Sequence, residues 1–227
     1  MPNRITERDR QIIALINKFG FFTADRLSKI YAISQNRIYR RLKVLHDNKL
    51  LQYKRFLNAY PGVYWPTKDG KELSDSQLTP IHAPRIATFE HELRVIDVYI
   101  SVKEKYGDSV QWITAREIIS NRIAEARDAK EVLQVLKSKI PDAILIRENK
   151  KFAVEVELSV KSRQRLKKIL TNYAVSLTQS IFDGVLYYIT KKSVAERLER
   201  LITETNLTGQ FRILRLEEND HPNTTAK

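Results

Sequence analysis

Residues 141–158 read PDAILIRENKKFAVEVEL, two apolar runs joined by a short polar segment. Runs of four to eight residues rich in Ile, Val and Phe, bounded by Pro and by polar clusters, form strands rather than helices. The pattern predicts strands over 143–146 and 152–158 around a turn at 148–151, with paired positions summing to 299. Asp142 then faces Glu157, and Ile144 faces Glu155. Side chains alternate along a strand, so Asp142, Glu155 and Glu157 fall on one face of the sheet. Opposed carboxylates repel, and the fold must offset that repulsion with a divalent cation, a nearby Lys or Arg, or solvent. The basic run Lys161, Arg163, Arg165, Lys167 and Lys168 follows directly. It can hold a phosphate backbone or neutralise the acids.

Other elements surround this hairpin. Ile86, Phe89, Leu93, Ile96 and Ile100 keep a 3–4 spacing that predicts a long helix over 85–106. Residues 110–114 read as a strand, 127–137 as a helix, 162–177 as a helix, 184–189 as a strand, 193–203 as a helix and 211–216 as a last strand. Strands mixed with long helices predict an α/β (α+β) domain with a mixed central sheet.

The first third of the chain is built differently. Thr6, Glu7 and Asp9 precede Ile12, Ile13, Leu15 and Ile16, a helix start that Gly20 closes. Thr23 caps a second helix through Tyr31, with Leu27 and Ile30 inward. Ser34 caps a third, reaching about Asn48, whose buried stripe is Ile38, Leu42 and Leu45. Strands over 51–57 and 63–66 follow, with 58–62 (NAYPG) as the tip between them. Three short helices and a basic hairpin predict a winged helix-turn-helix whose third helix enters the major groove. Gln35, Asn36, Arg37, Tyr39, Arg40 and Lys43 lie on its solvent side. Gln and Asn can read adenine, and Arg can read guanine or hold phosphate. Lys54 and Arg55, with Tyr60, reach the flanking backbone from the wing. Tyr31, Tyr53, Tyr64 and Trp65 are read as core rather than as base-stacking residues.

Charge points the same way. The 227 residues carry 40 Lys plus Arg against 27 Asp plus Glu, a formal charge of +13. Residues 1–80 hold 15 basic and 7 acidic side chains, and residues 81–227 hold 25 and 20. The excess predicts an anionic partner, double-stranded DNA by default. With no Cys, disulfides, thiolate catalysis and Cys-based zinc sites are excluded. The N-terminus has no apolar h-region and no stretch approaches 18 apolar residues, so a cytoplasmic protein with no membrane partner is expected. The six glycines make neither GxxxxGK[ST] nor GxGxxG, which leaves no nucleotide-cofactor loop. His46, His82, His91 and His221 include no HExxH pair, and no Ser stands in a nucleophile elbow. Residues 74–84 (SDSQLTPIHAP) read as a linker or an interdomain turn. The domains expected are a winged helix over 1–78, an α/β domain over 79–216 and a flexible tail over 217–227.

Pro141–Asp142 and Glu155, on adjacent strands followed by a helix and another strand, resemble the two half-motifs of the PD-(D/E)xK nuclease superfamily. That resemblance implies a restriction-endonuclease-like domain in which Asp142 and Glu155 bind magnesium. A lysine usually stands two residues after the second acid, where this chain has Glu157. Active members with Glu there exist, and Lys161 or Lys167 can substitute from the following helix. Glu117, in AREII, corresponds to the extra acid such domains often carry.

The order of TKDGKEL (67–73), HELRVIDVY (91–99), WITARE (112–117), Pro141–Asp142, Glu155–Val156–Glu157 and Tyr173 resembles the replication-relaxation family of plasmids and mobile elements over residues 5–190. The resemblance implies a DNA-binding protein acting in replication, transfer or transcriptional control. Its nuclease-like domain would be non-catalytic and serve dimerisation or further DNA contact, with a homodimer expected on a palindromic site. The alternative is a magnesium-dependent endonuclease targeted by its winged helix, with Asp142, Glu155, Glu157 and Lys161 catalytic and magnesium on Asp142 and Glu155. Without that activity, no cofactor is called for.

Overall fold

The computed structural model describes residues 4–137 and 139–216, and shows a mixed α/β chain of two compact units. The first unit runs to Ile100 and the second starts at Ser101. The division therefore falls inside a helix rather than at the 74–84 segment. The tail expected over 217–227 lies outside the described residues.

Helix α1 (Glu7–Phe19) begins where Asp9 turns back on Thr6, accepting from its backbone N–H and its hydroxyl at 2.6 Å each. It ends at Gly20, whose φ of 98° suits a residue without a Cβ. Strand β1 (Phe22–Thr23) and helices α2 (Ala24–Tyr31) and α3 (Gln35–Asp47) follow, starting after Thr23 and Ser34 as expected, but neither side chain caps: no backbone N–H of the first turn bonds to it, and the Thr23 hydroxyl accepts from Arg26 instead. Leu27 is fully buried, while Ile30 is only half-buried. Strands β2 (Leu51–Lys54) and β3 (Val63–Pro66) pair antiparallel, and β1 adds to the far side of β3.

Strand β2 is shorter than the expected 51–57. Beyond Lys54 the Arg55 guanidinium donates to the carbonyls of Asn58 at 2.6 Å and Tyr60 at 3.0 Å, which bends the chain into the loop. A short helix α4 (Lys68–Leu73), not expected, packs so closely that a Cβ on Gly70 would stand 2.1 Å from the Leu50 carbonyl oxygen.

Residues 74–84 are not a free linker. The buried Asn17 amide donates to Ser76 Oγ at 2.8 Å and the Leu78 carbonyl at 2.7 Å. The Trp65 indole N–H donates to the His82 carbonyl at 3.1 Å. Both bonds fasten the segment to the first unit. A 3-10 turn at Ile86–Thr88 precedes helix α5 (Phe89–Tyr106), because the Thr88 hydroxyl donates to Glu92 at 2.7 Å and sets the helix start there. Within the first unit Phe89 stacks on Phe21 with centroids 5.1 Å apart, in a core shared with Val63, Trp65 and Leu93.

The second unit carries a five-stranded sheet in the order β4-β5-β6-β7-β8: β4 (Val110–Thr114), β5 (Ala143–Arg147), β6 (Lys150–Glu157), β7 (Gly184–Ile189) and β8 (Phe211–Arg215). The β4–β5 and β5–β6 pairs are antiparallel, and β6–β7 and β7–β8 are parallel. Helices α6 (Ala115–Glu125), α7 (Ala129–Lys137), α8 (Arg163–Thr178) and α9 (Lys192–Glu204) complete it. One core joins Ile144, Ala153, Val185, Tyr187 and Ile189 of the sheet to Leu166, Leu170, Tyr173 and Leu177 of α8. Helix α6 was not expected. It starts in a capping box in which Thr114 and Glu117 satisfy each other's backbone N–H groups.

The hairpin register also differs. Ala143 pairs with Val154 and Arg147 with Lys150, two positions earlier on β6 than a sum of 299 gives. Glu148 and Asn149 both have positive φ, 51° and 60°, so they form the whole turn. Such a two-residue turn matches the right-handed twist of the strands, and Lys150 and Lys151 join the ladder instead of looping. A shift of two keeps every side chain on its face. It moves Asp142 beside Glu155 rather than Glu157.

The packing rests on an ion pair between α1 and α3. Asp9, 1% exposed, is bonded by both the Nε and Nη2 of Arg41. Burial pushes the Asp9 carboxyl up, but the Arg41 and Thr6 hydrogen bonds outweigh it and hold the group below its ordinary 3.8. Its stabilisation is present above that value and lost as pH falls through the folded pKa. Arg41→Ala, which strands a buried charge, is expected to cost roughly 3–5 kcal/mol at pH 7. The deficit should shrink toward pH 3 as Asp9 protonates. Urea unfolding at both pH values measures it, and equal stability of variant and wild type would rule the pair out as a fastening.

Candidate functional site

Two places gather the residues that the sequence singled out. The first is the outer face of α3. Ile38, Leu42 and Leu45 are buried at spacings of four and three, which turns the opposite face to solvent. Gln35, Asn36, Arg37, Tyr39, Arg40 and Lys43 are all exposed there. The six differ in what holds them. Lys43 pairs with Asp47 at 3.1 Å, and the Arg40 Nε donates to the Asn36 carbonyl at 3.4 Å. Among the described residues neither Arg37 nor Arg40 has a carboxylate partner.

On the adjoining hairpin Lys54 is exposed, with its ammonium 5.3 Å from the Phe56 ring centroid. Arg55 is exposed too, but its guanidinium is spent on the loop carbonyls, so it shapes the tip rather than reaching out from it. Tyr64 and Trp65 are buried and Tyr31 half-buried, whereas Tyr53 is 44% exposed. The Tyr53 ring lies over Gly62, where a Cβ would come within 2.3 Å of it, and sits tilted against Tyr64 with centroids 4.7 Å apart. Tyr39 and Tyr53 therefore both offer aromatic surface to solvent, which the alternation of β2 alone did not separate from core.

The second place is the end of the β5–β6 pair. Asp142 precedes β5, and its Oδ2 accepts from the Val156 N–H at 2.7 Å, replacing a ladder rung with a side chain. Glu155 and Glu157 sit on the face covered by α8 and are 3% and 5% exposed. Neither is bare. The Lys139 ammonium lies 2.7 Å from one Glu155 oxygen and 2.9 Å from the other. The Tyr173 hydroxyl donates to Glu155, and Lys161 donates to Glu157. Glu117 serves the α6 cap, 2.8 Å from the Thr114 N–H, and the Ala115 N–H at the start of that helix donates to the Asp142 carbonyl at 3.2 Å.

Burial, then the nearby Asp142 charge, push the Glu155 carboxyl above its ordinary 4.5 against the pull of Lys139 and Tyr173. The Tyr173 phenol is driven up by burial and by Glu155, and Tyr187 by burial and the three acids. The buried Tyr187 hydroxyl makes no hydrogen bond.

Magnesium requires hard oxygen ligands with open lone pairs. Asp142 and Glu155 are the right chemistry, but Lys139 already bridges both oxygens of Glu155, and Lys161 holds Glu157. Among the described residues no three His, Asp or Glu side chains are grouped to hold a metal ion. The donor set in this arrangement does not fit the cation. Lys139 was missed in the sequence because it stands before the half-motif rather than two residues after Glu155. Only the register shows what it faces.

No protein-family model, no curated protein and no solved structure matches the chain. No helix among the described residues is long and apolar enough to cross a membrane.

The cluster predicts a pH-dependent penalty. Lys139→Met removes the ammonium and leaves Glu155 buried beside Asp142, at a cost of about 3–5 kcal/mol at pH 8. A carboxyl with a raised folded pKa contributes most below its ordinary value, and stability is lost as pH rises through the folded one. The Lys139→Met defect should therefore be smaller at pH 5 than at pH 8 by chemical denaturation. A defect equal at both values would mean that Lys139 acts through packing alone.

Proposed function

We propose that the protein is a double-stranded-DNA-binding protein whose first unit is a winged helix-turn-helix. The observation that carries this is α3. Its inner stripe is buried, and its outer face presents Gln35, Asn36, Arg37, Tyr39, Arg40 and Lys43 to solvent. A helix of 13 residues with such a face fits the major groove, about 12 Å wide. Gln35, Asn36 and Arg40 are the base-reading candidates. Arg37, Lys43 and Lys54 contact phosphate, and Arg55 and Tyr60 set the wing. The +13 charge supports the same partner through counterion release.

The order of segments that resembles the replication-relaxation family supplies the setting: a plasmid or other mobile element, in replication, transfer or transcriptional control. In this reading the second unit is nuclease-like in topology and non-catalytic, with a homodimer on a palindromic site. The endonuclease alternative is disfavoured by one observation, the lysines that close Glu155 and Glu157. Incubation of plasmid with protein and magnesium decides it: intact, retarded DNA is expected, and nicking lost in an Asp142→Ala, Glu155→Ala double variant would restore the enzyme.

Arg40→Ala is expected to weaken binding to a selected duplex by about 1–3 kcal/mol and to relax preference at one base pair. Fluorescence anisotropy against the selected site and its single-base variants measures both. Unchanged affinity would take α3 out of the groove.

A further inference from the structure

The second unit holds a basic surface that the first unit's reading does not use. Helix α8 carries Arg163, Arg165, Lys167 and Lys168 and no Asp or Glu. All four cations fall in its first six residues. That is the wrong end for them: a helix N-terminus bears partial positive charge, so cations there oppose the dipole. The neighbouring α9 shows what an ordinary solvated helix of this chain looks like. It has Lys192, Arg197 and Arg200 against Glu196, Glu199 and Glu204, and Lys192 sits 3.6 Å from Glu196. Opposite charges at such spacing support a helix. In α8 only Arg163 finds a carboxylate, Glu204 of α9 at 2.7 Å. The preceding Lys161 is taken by Glu157. Among the described residues Arg165, Lys167 and Lys168 have no such partner, and all three are exposed.

Folding does not account for them. The helix is held by Leu166, Leu170, Tyr173 and Leu177, which are buried against the sheet. Gln164, Thr171 and Asn172 extend the exposed face with neutral hydrogen-bonding groups.

We infer that the exposed face of α8, through Arg165, Lys167 and Lys168, is a second contact surface for the DNA phosphate backbone. The inference rests on the DNA-binding reading of the first unit. At a rise of 1.5 Å per residue the three cations span about 4.5 Å of helix axis, and their long side chains splay from it to reach roughly two or three neighbouring phosphates of one strand. A protein partner would call for a central apolar anchor. Val175, the large apolar side chain that α8 exposes, stands two turns beyond Lys168 and not among the three cations. An anionic membrane surface would call for an apolar helix face free to insert, and that face of α8 is buried. Charge with neutral donors and no anchor fits a sugar-phosphate backbone, contacted without regard to sequence.

The test uses the full chain and one selected duplex. Binding is measured by anisotropy from 50 to 300 mM salt for wild type, for an Arg165→Gln, Lys167→Gln, Lys168→Gln triple variant, and for an Arg37→Ala, Arg40→Ala variant. Each lost phosphate contact lowers the salt slope by about 0.9. The triple variant is expected to lose about 2 to 3 from the slope while keeping the wild-type ranking of single-base site variants. A charge-keeping Arg165→Lys, Lys167→Arg, Lys168→Arg variant is expected to keep the slope, which separates charge from misfolding. A triple variant with the wild-type slope overturns the inference, and if the Arg37→Ala, Arg40→Ala variant binds weakly the first unit's reading stands. A wild-type chain that binds no duplex at low salt overturns both. Loss of binding to phosphatidylserine vesicles in the triple variant, with its DNA isotherm unchanged, overturns the inference in favour of a lipid surface.

Discussion

Burying a carboxylate is tolerated only when a cation or a set of hydrogen bonds is brought to it, and this chain buries Asp9, Glu155 and Glu157 and half-buries Asp97. Asp9 takes Arg41, Asp97 takes Arg26 at 2.8 Å, Glu155 takes Lys139 and Tyr173, and Glu157 takes Lys161. Three of the four pairs reach across the fold: α1 to α3, α2 to α5 and the approach to β5 to strand β6. The arrangement of α3 depends on this most directly. One side of that helix is held by Ile38, Leu42 and Leu45, and its orientation about its own axis is set by the Arg41–Asp9 pair. The face left outward follows from those two constraints.

The same requirement explains where the surplus charge goes. Arg26, Arg41, Lys139 and Lys161 are consumed inside or at the edge of the core, so they add nothing to an external field. Among the described residues, exposed cations without a carboxylate cluster at Arg37 and Arg40 on α3 and at Arg165, Lys167 and Lys168 on α8, while others such as Lys29, Lys49, Lys68, Lys150 and Arg212 lie scattered. A protein of this net charge repels itself, and dispersing the cations would relieve it. Setting five of them together on two helix faces does the opposite. That clustering makes sense when an anion compensates the field.

Much of the architecture was legible because it depends on short-range rules. The starts after Thr23 and Ser34, the stop at Gly20 and the 3–4 spacing of α3 are local, and each element begins and ends within a residue or so of its signal. What escaped depends on partners distant in the chain. Strand β1 exists because β3 lies beside Phe22 and Thr23, and nothing in two residues announces that. Helix α6 was hidden because its cap acid, Glu117, was read for chemistry, while its apolar residues are few and weakly periodic. The 74–84 segment has the composition of a linker but is bound to Asn17 and Trp65, tens of residues away.

The carboxylate site shows most clearly how face and neighbour separate. Period-two alternation fixes the face, so any register of the right parity puts Asp142, Glu155 and Glu157 together. Which acid adjoins which is set by the turn, and the turn is decided by whether Glu148 and Asn149 both accept positive φ. They do, and Asp142 then bonds the Val156 N–H where the ladder would otherwise end. Once its carboxylate serves as that rung, Asp142 is part of the strand pairing. Glu155, beside it and buried, needs a positive charge from outside the sheet. Lys139 is near in sequence to Asp142 and carries that charge without a loop having to close. The acids that looked like ligands are accounted for by the needs of a buried strand end. The unspent cations on α3 and α8 are not accounted for by folding, and function is therefore to be sought there.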